Sequence, residues 1–98
     1  MMPTQALTAP EEFTVHHVRA LAPTLIQAAR SGASLNLDLS EVSHIDTAGI
    51  QLLLTLRREA ARSLTHLEFD RPSSVVSEMV TFYQLGSLLQ APARLLST

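Results

Sequence analysis

Apolar and polar residues alternate with period two along Leu35-Asn36-Leu37-Asp38-Leu39, which predicts a strand buried on one face. Leu67-Glu68-Phe69 and its neighbours alternate in the same way and predict another. Between them the period becomes helical. Ile50, Leu53, Leu54, Ala61 and Leu64 recur at spacings of three, four and seven, while Arg57, Arg58, Glu59 and Arg62 supply the solvated side. Asp46 stands where a cap belongs, able to accept from the first free backbone N–H groups and well placed against the helix dipole. Gly32 ends whatever precedes the first of these strands, and Ser40-Glu41-Val42-Ser43-His44 forms its exit loop. Pro72 and Ser73-Ser74 open a further helix from Val75 to about Leu85, with Val76, Met79, Val80 and Tyr83 on one side and Gly86 as the stop.

The first third admits two arrangements. Val18, Leu21, Ala22, Leu25 and Ala29 make a helical face running to Arg30, with Pro23 expected to kink the helix or reset its start. Upstream, Thr8-Ala9-Pro10-Glu11 has the form of a capping box that would begin a helix near Ala9. The preferred alternative is a short strand near Gln5–Leu7, a turn at Pro10-Glu11 and a second extended piece at Phe13-Thr14-Val15, residues that favour extended backbone. The order is then strand, strand, helix, strand, helix, strand, helix. That is an α/β domain in which helices cover a sheet with parallel neighbours. It is expected to span residues 4–90, with a tail over residues 91–98 and loose ends at Met1–Pro3 and Ala91–Thr98.

Composition narrows the function. Ninety-eight residues, 46% hydrophobic and 16% charged, suit one folded domain. Seven arginines without a lysine, against nine acids, leave a net charge of −2, which argues against strong binding to nucleic acid or an anionic membrane. The lack of cysteine excludes disulfides, thiol catalysis and zinc–cysteine sites. The most apolar run, Ala48 to Leu56, reaches barely half the ~20 residues a bilayer needs. No secretory signal opens the chain, so a cytoplasmic protein without membrane insertion is expected.

The run Leu37-Asp38-Leu39-Ser40-Glu41-Val42-Ser43-His44-Ile45-Asp46-Thr47-Ala48-Gly49-Ile50-Gln51-Leu52-Leu53 resembles the signature of STAS domains, the anti-sigma-factor antagonists and their relatives in bacterial signalling. The resemblance extends over about Gln5 to Leu89. The Gly-Ile-Gln-Leu-Leu continuation and the short N-terminal region are most similar to single-domain members associated with chemosensory clusters. A related branch, the small STAS subunits of lipid-transporting ABC systems, also carries Asp-Thr before the helix. The resemblance implies an α/β fold with about four strands in a mixed sheet and about three to four helices. In the antagonist branch the hydroxyl residue after the aspartate is phosphorylated by a partner serine kinase and dephosphorylated by a phosphatase, and the unmodified form binds its partner. Carried over, Thr47 is the phosphoacceptor, and Asp46, Ala48 and Gly49 are the surrounding contact surface. The family more often has serine at this place, and the lipid-transport branch keeps threonine as a contact. On this resemblance the chain is no enzyme and holds no cofactor. ATP and magnesium belong to the kinase, and the partner is a kinase-like anti-sigma factor or signalling regulator; the alternative partner is the ATPase of a lipid transporter.

The chemistry of the junction points the same way. Thr47 falls in a first helical turn, where backbone N–H groups lack partners and anions are tolerated, so a phosphate would act on binding more than on the fold. Two like charges ~6 Å apart repel by about 3 kcal/mol at an effective dielectric of ~20, and half of that still lowers affinity about tenfold. Ala48 and Gly49 are small enough for a partner's backbone to come close, and a glycine there disfavours a helix by about 1 kcal/mol relative to alanine. Strand ends gather ligand and partner sites in α/β sheets. Asp38, Ser40, His44, Ser73 and Ser74 are therefore expected to extend the surface, His44 with a charge that could tune it near neutral pH. No histidine pair has the helical spacing of a metal site. Arg57, Arg58 and Arg62 read as a solvated face, and Met79, Phe82 and Tyr83 as core and edge packing. A hydrolase or ligand carrier would need a pocket and an activated base, and the sequence offers neither.

Overall fold

A computed structural model of the chain describes residues 4–89; the expected loose ends and the tail over residues 91–98 lie outside them. Along the chain run β1 (Thr4–Thr8), β2 (Glu12–Phe13), α1 (Val15–Ala29), β3 (Ser34–Asp38), β4 (His44–Ile45), α2 (Thr47–Ser63), β5 (His66–Asp70), α3 (Ser74–Phe82) and a closing 3-10 helix (Gly86–Leu89). The α/β architecture is the expected one. Its strands divide between a three-stranded sheet, ordered β1-β3-β5, and a two-stranded ladder, β2-β4, and every pairing among the described residues is parallel.

The alternation in β3 does what its pattern predicts. Leu35, Leu37 and the following Leu39 are buried, and register sets Leu37 between Leu7 of β1 and Phe69 of β5. The opposite rows, Ala6–Asn36–Glu68 and Thr8–Asp38–Asp70, carry the polar side. Helices α1 and α2 pack side by side, contributing Leu25, Ala28 and Ala29 from the first and Ile50, Leu52, Leu53, Leu56 and Ala60 from the second to one core. Each large aliphatic side chain so buried is worth about 1.5–3 kcal/mol.

Several expectations are corrected. Pro23 does not reset the start of α1, which begins at Val15 and continues past it; the proline lies on the exposed side, where the carbonyl its missing N–H would have engaged can face water. The segment Phe13-Thr14-Val15 is not one extended piece: β2 ends at Phe13, Thr14 is the N-cap and Val15 already begins the helix. His44 leaves the expected loop and forms β4 together with Ile45. On α2, Ala61 is exposed and Leu64 is the left-handed C-cap (φ 58°), 86% exposed; the buried stripe continues through Leu56 and Ala60 instead. Helix α3 stops at Phe82 because Gln84 takes a left-handed φ of 59° and Leu85 N–H returns to the Val80 carbonyl; Gly86 opens the 3-10 helix rather than stopping α3.

Arg57 is half-buried and does not belong to a solvated face. Its guanidinium donates to the Leu67 carbonyl at 2.8 Å and to the Leu88 carbonyl at 2.6 and 3.2 Å, and lies 4.6 Å from the centre of the Phe69 ring. It thereby fastens the closing 3-10 helix to β5, and burial pushes its pKa down. Replacement Arg57→Met retains an apolar stem but strands two carbonyls. It is expected to destabilise the domain by about 2 kcal/mol, while Arg58→Met, one residue away and exposed, changes stability by no more than about 0.5 kcal/mol. Urea denaturation of the two variants measures the difference.

Candidate functional site

The corner between β4 and α2 is built by the short parallel ladder. Phe13 pairs with Ile45, so the residues that follow, Thr14 and Asp46, come side by side as the N-caps of α1 and α2. Thr14 makes no side-chain capping bond. Asp46 serves both helices: one carboxylate oxygen accepts from Gly49 N–H at 3.1 Å, closing its own helix start, and the other accepts from Val15 N–H at 3.0 Å, the first residue of α1. These backbone bonds, the one from Val15 foremost, hold the Asp46 carboxyl below its ordinary value of 3.8 against the opposing effect of desolvation.

Thr47 is the first residue of α2 and is exposed. Because Asp46 provides the cap, the Thr47 side chain is free of that task, and its Oγ1 shares a 3.2 Å hydrogen bond with the Tyr83 hydroxyl just beyond α3. Ala48 is partly buried. Gly49 points inward: a Cβ there would overlap the Phe13 carbonyl oxygen and lie 2.8 Å from Ile45 Cγ1. The glycine is therefore demanded by the close approach of α2 to β2 and β4, not by room for a partner's backbone.

The other expected residues disperse. Asp38, at the end of β3, accepts from Ser40 N–H at 2.8 Å and pairs with Arg71; the Ser40 bond is the largest cause of its lowered pKa, and neither carboxylate oxygen engages Thr47. Ser40 itself is exposed. His44 lies at the start of β4, with Nδ1 3.2 Å from Ser43 Oγ and 4.0 Å from a Glu12 carboxylate oxygen. Ser73 is the N-cap of α3, accepting from Val76 N–H at 3.3 Å, and exposed Ser74 follows it. Both serines stand at the opposite end of α3 from Tyr83, a helix length of about 13 Å away. Neither the exposed Tyr83 at Thr47 nor Arg71 at Asp38 has a local signal in the sequence. Phe82 could have been found, since it lies well off the Val76–Val80 stripe by helical angle. Tyr83 falls near that stripe and would be inward had the helix continued.

No three His, Asp or Glu side chains among the described residues converge as a metal site. The carboxylate next to Thr47 gives both oxygens to backbone N–H groups, leaving it poorly placed to act as a base for the hydroxyl. No helix among these residues is long and apolar enough to cross a membrane.

A family model described as Mlab, STAS domain matches residues 3–90. Among solved structures, the chain resembles the anti-sigma factor antagonist SpoIIAA in its unphosphorylated form, with a TM-score of 0.71 and 21% identity over 92% of this chain and 82% of that one. No curated protein matches the sequence.

The double cap is testable. Asparagine at position 46 keeps the shape but offers a single accepting oxygen, so Asp46→Asn is expected to destabilise by about 1–2 kcal/mol near neutral pH. The folded pKa lies below the unfolded one, so the wild type's advantage is complete above the ordinary carboxylate value and vanishes as pH falls through the lower folded value. Urea midpoints across the acid range should show the two proteins converging there. A gap unchanged down to about pH 2 would assign the effect to shape rather than charge.

Proposed function

Because this chain belongs to the STAS domain family, we propose that it works by binding a protein partner through the exposed start of α2, with the Thr47 hydroxyl as the place where a phosphate releases that partner. The observation that carries this reading is the division of labour between adjacent residues. Asp46 caps both helices, so Thr47 Oγ1 can be modified without removing a bond on which either helix start depends. The unpaired N–H groups of a first helical turn tolerate an anion, which leaves binding as the property that changes. The resemblance to an antagonist solved in an unphosphorylated form supports the same reading. The chain catalyses nothing in it. A partner kinase transfers the phosphoryl group from its own magnesium-bound ATP to Thr47 Oγ1, takes up the hydroxyl proton and releases ADP; a phosphatase reverses the change by hydrolysis. The partner is a kinase-like anti-sigma factor or signalling regulator in a bacterial cytoplasm.

A second reading is favoured by the threonine itself and by its bond to Tyr83, which gives the hydroxyl a partner within the chain. In it the domain is a STAS accessory subunit held permanently against the ATPase of a lipid-transporting ABC system, and Thr47 is a contact that is never modified.

Copurification of tagged chain from its native host, with partners identified by mass spectrometry, separates the two. Phosphate-controlled release predicts that Thr47→Glu loses the partner, Thr47→Ala keeps it, and the intact mass of native chain shows a phosphorylated fraction. A permanent subunit predicts that both substitutions weaken one constitutive complex and that no phosphate is found. If both variants bind as the wild type does, the Thr47 surface is not the contact.

A further inference from the structure

The chain has four aromatic residues, and it divides them in an uneven way. Phe13 and Phe69 are in the core, whereas Phe82 is 77% and Tyr83 42% exposed. The two exposed rings meet edge to face, with centroids 5.2 Å apart, where α3 breaks off. The same break brings the Tyr83 hydroxyl to Thr47 Oγ1, so the rings and the threonine form one continuous surface. Large rings left in water forgo the burial that stabilises the other two, and such surface is characteristic of interaction sites. Rigid aromatics at the centre of an interface also contribute much contact area for little lost side-chain freedom.

Charge indicates what meets them. Six of the nine acids, Glu11, Glu12, Asp38, Glu41, Asp46 and Asp70, lie on or just before β2, or along the edge where the parallel strands β3 and β5 end and the chain leads on to Thr47. Arg71 is the one arginine at that edge among the described residues, and it is paired with Asp38. The other described arginines, at positions 19, 30, 57, 58 and 62, are on or directly after α1 and on α2. A partner with a cationic border complements this edge.

We infer that Phe82 and Tyr83 are the anchor of the partner-binding surface, and that the partner is a protein that seats both rings in an apolar pocket bordered by arginine or lysine. The inference rests on the reading of Thr47 given above and deepens it. A phosphate on Thr47 would have to be enclosed beside the seated rings, and the hydration it loses there exceeds what cations at a solvated border return. Modification thus opposes binding even though the border attracts negative charge.

Tyr83 is the chain's only tyrosine and tryptophan is absent, so acrylamide quenching of tyrosine fluorescence in the free chain reads the patch directly. Ready quenching is expected. Emission shielded from acrylamide means that the patch is already covered, by the chain's own ends or by a second copy, and overturns the inference. The binding arm uses the protein that copurifies with the wild-type chain, prepared separately and titrated by calorimetry. Phe82→Ala and Tyr83→Ala should each lower affinity about tenfold or more, with melting temperatures within about 4 °C of the wild type. Tyr83→Phe should lose less, Arg58→Ala should lose nothing, and affinity should fall as salt rises. Wild-type affinity in both alanine variants, or affinity that grows with salt, sinks the inference. In that event, release by Thr47→Glu in the same titration leaves the Thr47 reading standing alone, and binding by Thr47→Glu at wild-type affinity removes both.

Discussion

Two backbone N–H groups, one opening α1 and one in the first turn of α2, hydrogen-bond to the two oxygens of a single carboxylate, that of Asp46. The arrangement depends on the parallel β2-β4 ladder, which delivers both chains to the same level before each turns into its helix. Antiparallel pairing would have sent the two helix starts to opposite ends. A shift of one residue in either strand would have turned Phe13 or Ile45 out of the core and separated the two caps. The hydrophobic pair and the carboxylate therefore specify one another: burial of Phe13 and Ile45 fixes the register, and the register lets one side chain satisfy two helix ends.

The four residues from Asp46 to Gly49, which look like one motif, divide into separate tasks once this is seen. Asp46 turns inward to the backbone. Gly49 is small because the Phe13 carbonyl lies where its side chain would be. Ala48 is partly buried between them. Thr47 alone faces out. The exposed hydroxyl at this turn is linked beyond the end of α3 to the Tyr83 hydroxyl.

What was legible in the sequence follows the range of the physics involved. Local periodicity marked the strands around Leu37 and Phe69, and local cap chemistry marked Asp46, because both are decided within a few residues. The capping role of Asp46 toward α1 was invisible, since Val15 lies 31 positions away. Arg57 reads as solvated because a charge on a helix usually is, and only the tertiary approach of β5 and the closing 3-10 helix supplies the Leu67 and Leu88 carbonyls that draw it in. Pro23 looked disruptive because its local penalty is real, yet the packed face of α1 at Leu25, Ala28 and Ala29 outweighs one missing hydrogen bond. Tyr83 reads as inward only when the helix is carried on to about Leu85, past its observed end at Phe82. A single left-handed residue at Gln84 decides whether that ring is core or surface, and left-handed backbone at a glutamine has no strong sequence signal.

The arrangement also sets how a modification could act. Were the hydroxyl of Thr47 itself the cap, phosphorylation would tax the fold and the partner together, and stability would limit how large the effect on binding could be. With the cap assigned to a neighbour, the energetic consequence of a phosphate is confined to what touches Thr47 from outside and to Tyr83. A domain of this size has only about 5–15 kcal/mol of stability. A residue kept out of the hydrogen bonds that secure two helix starts could take on a charge, and change affinity by a decade or more, without drawing on that small reserve.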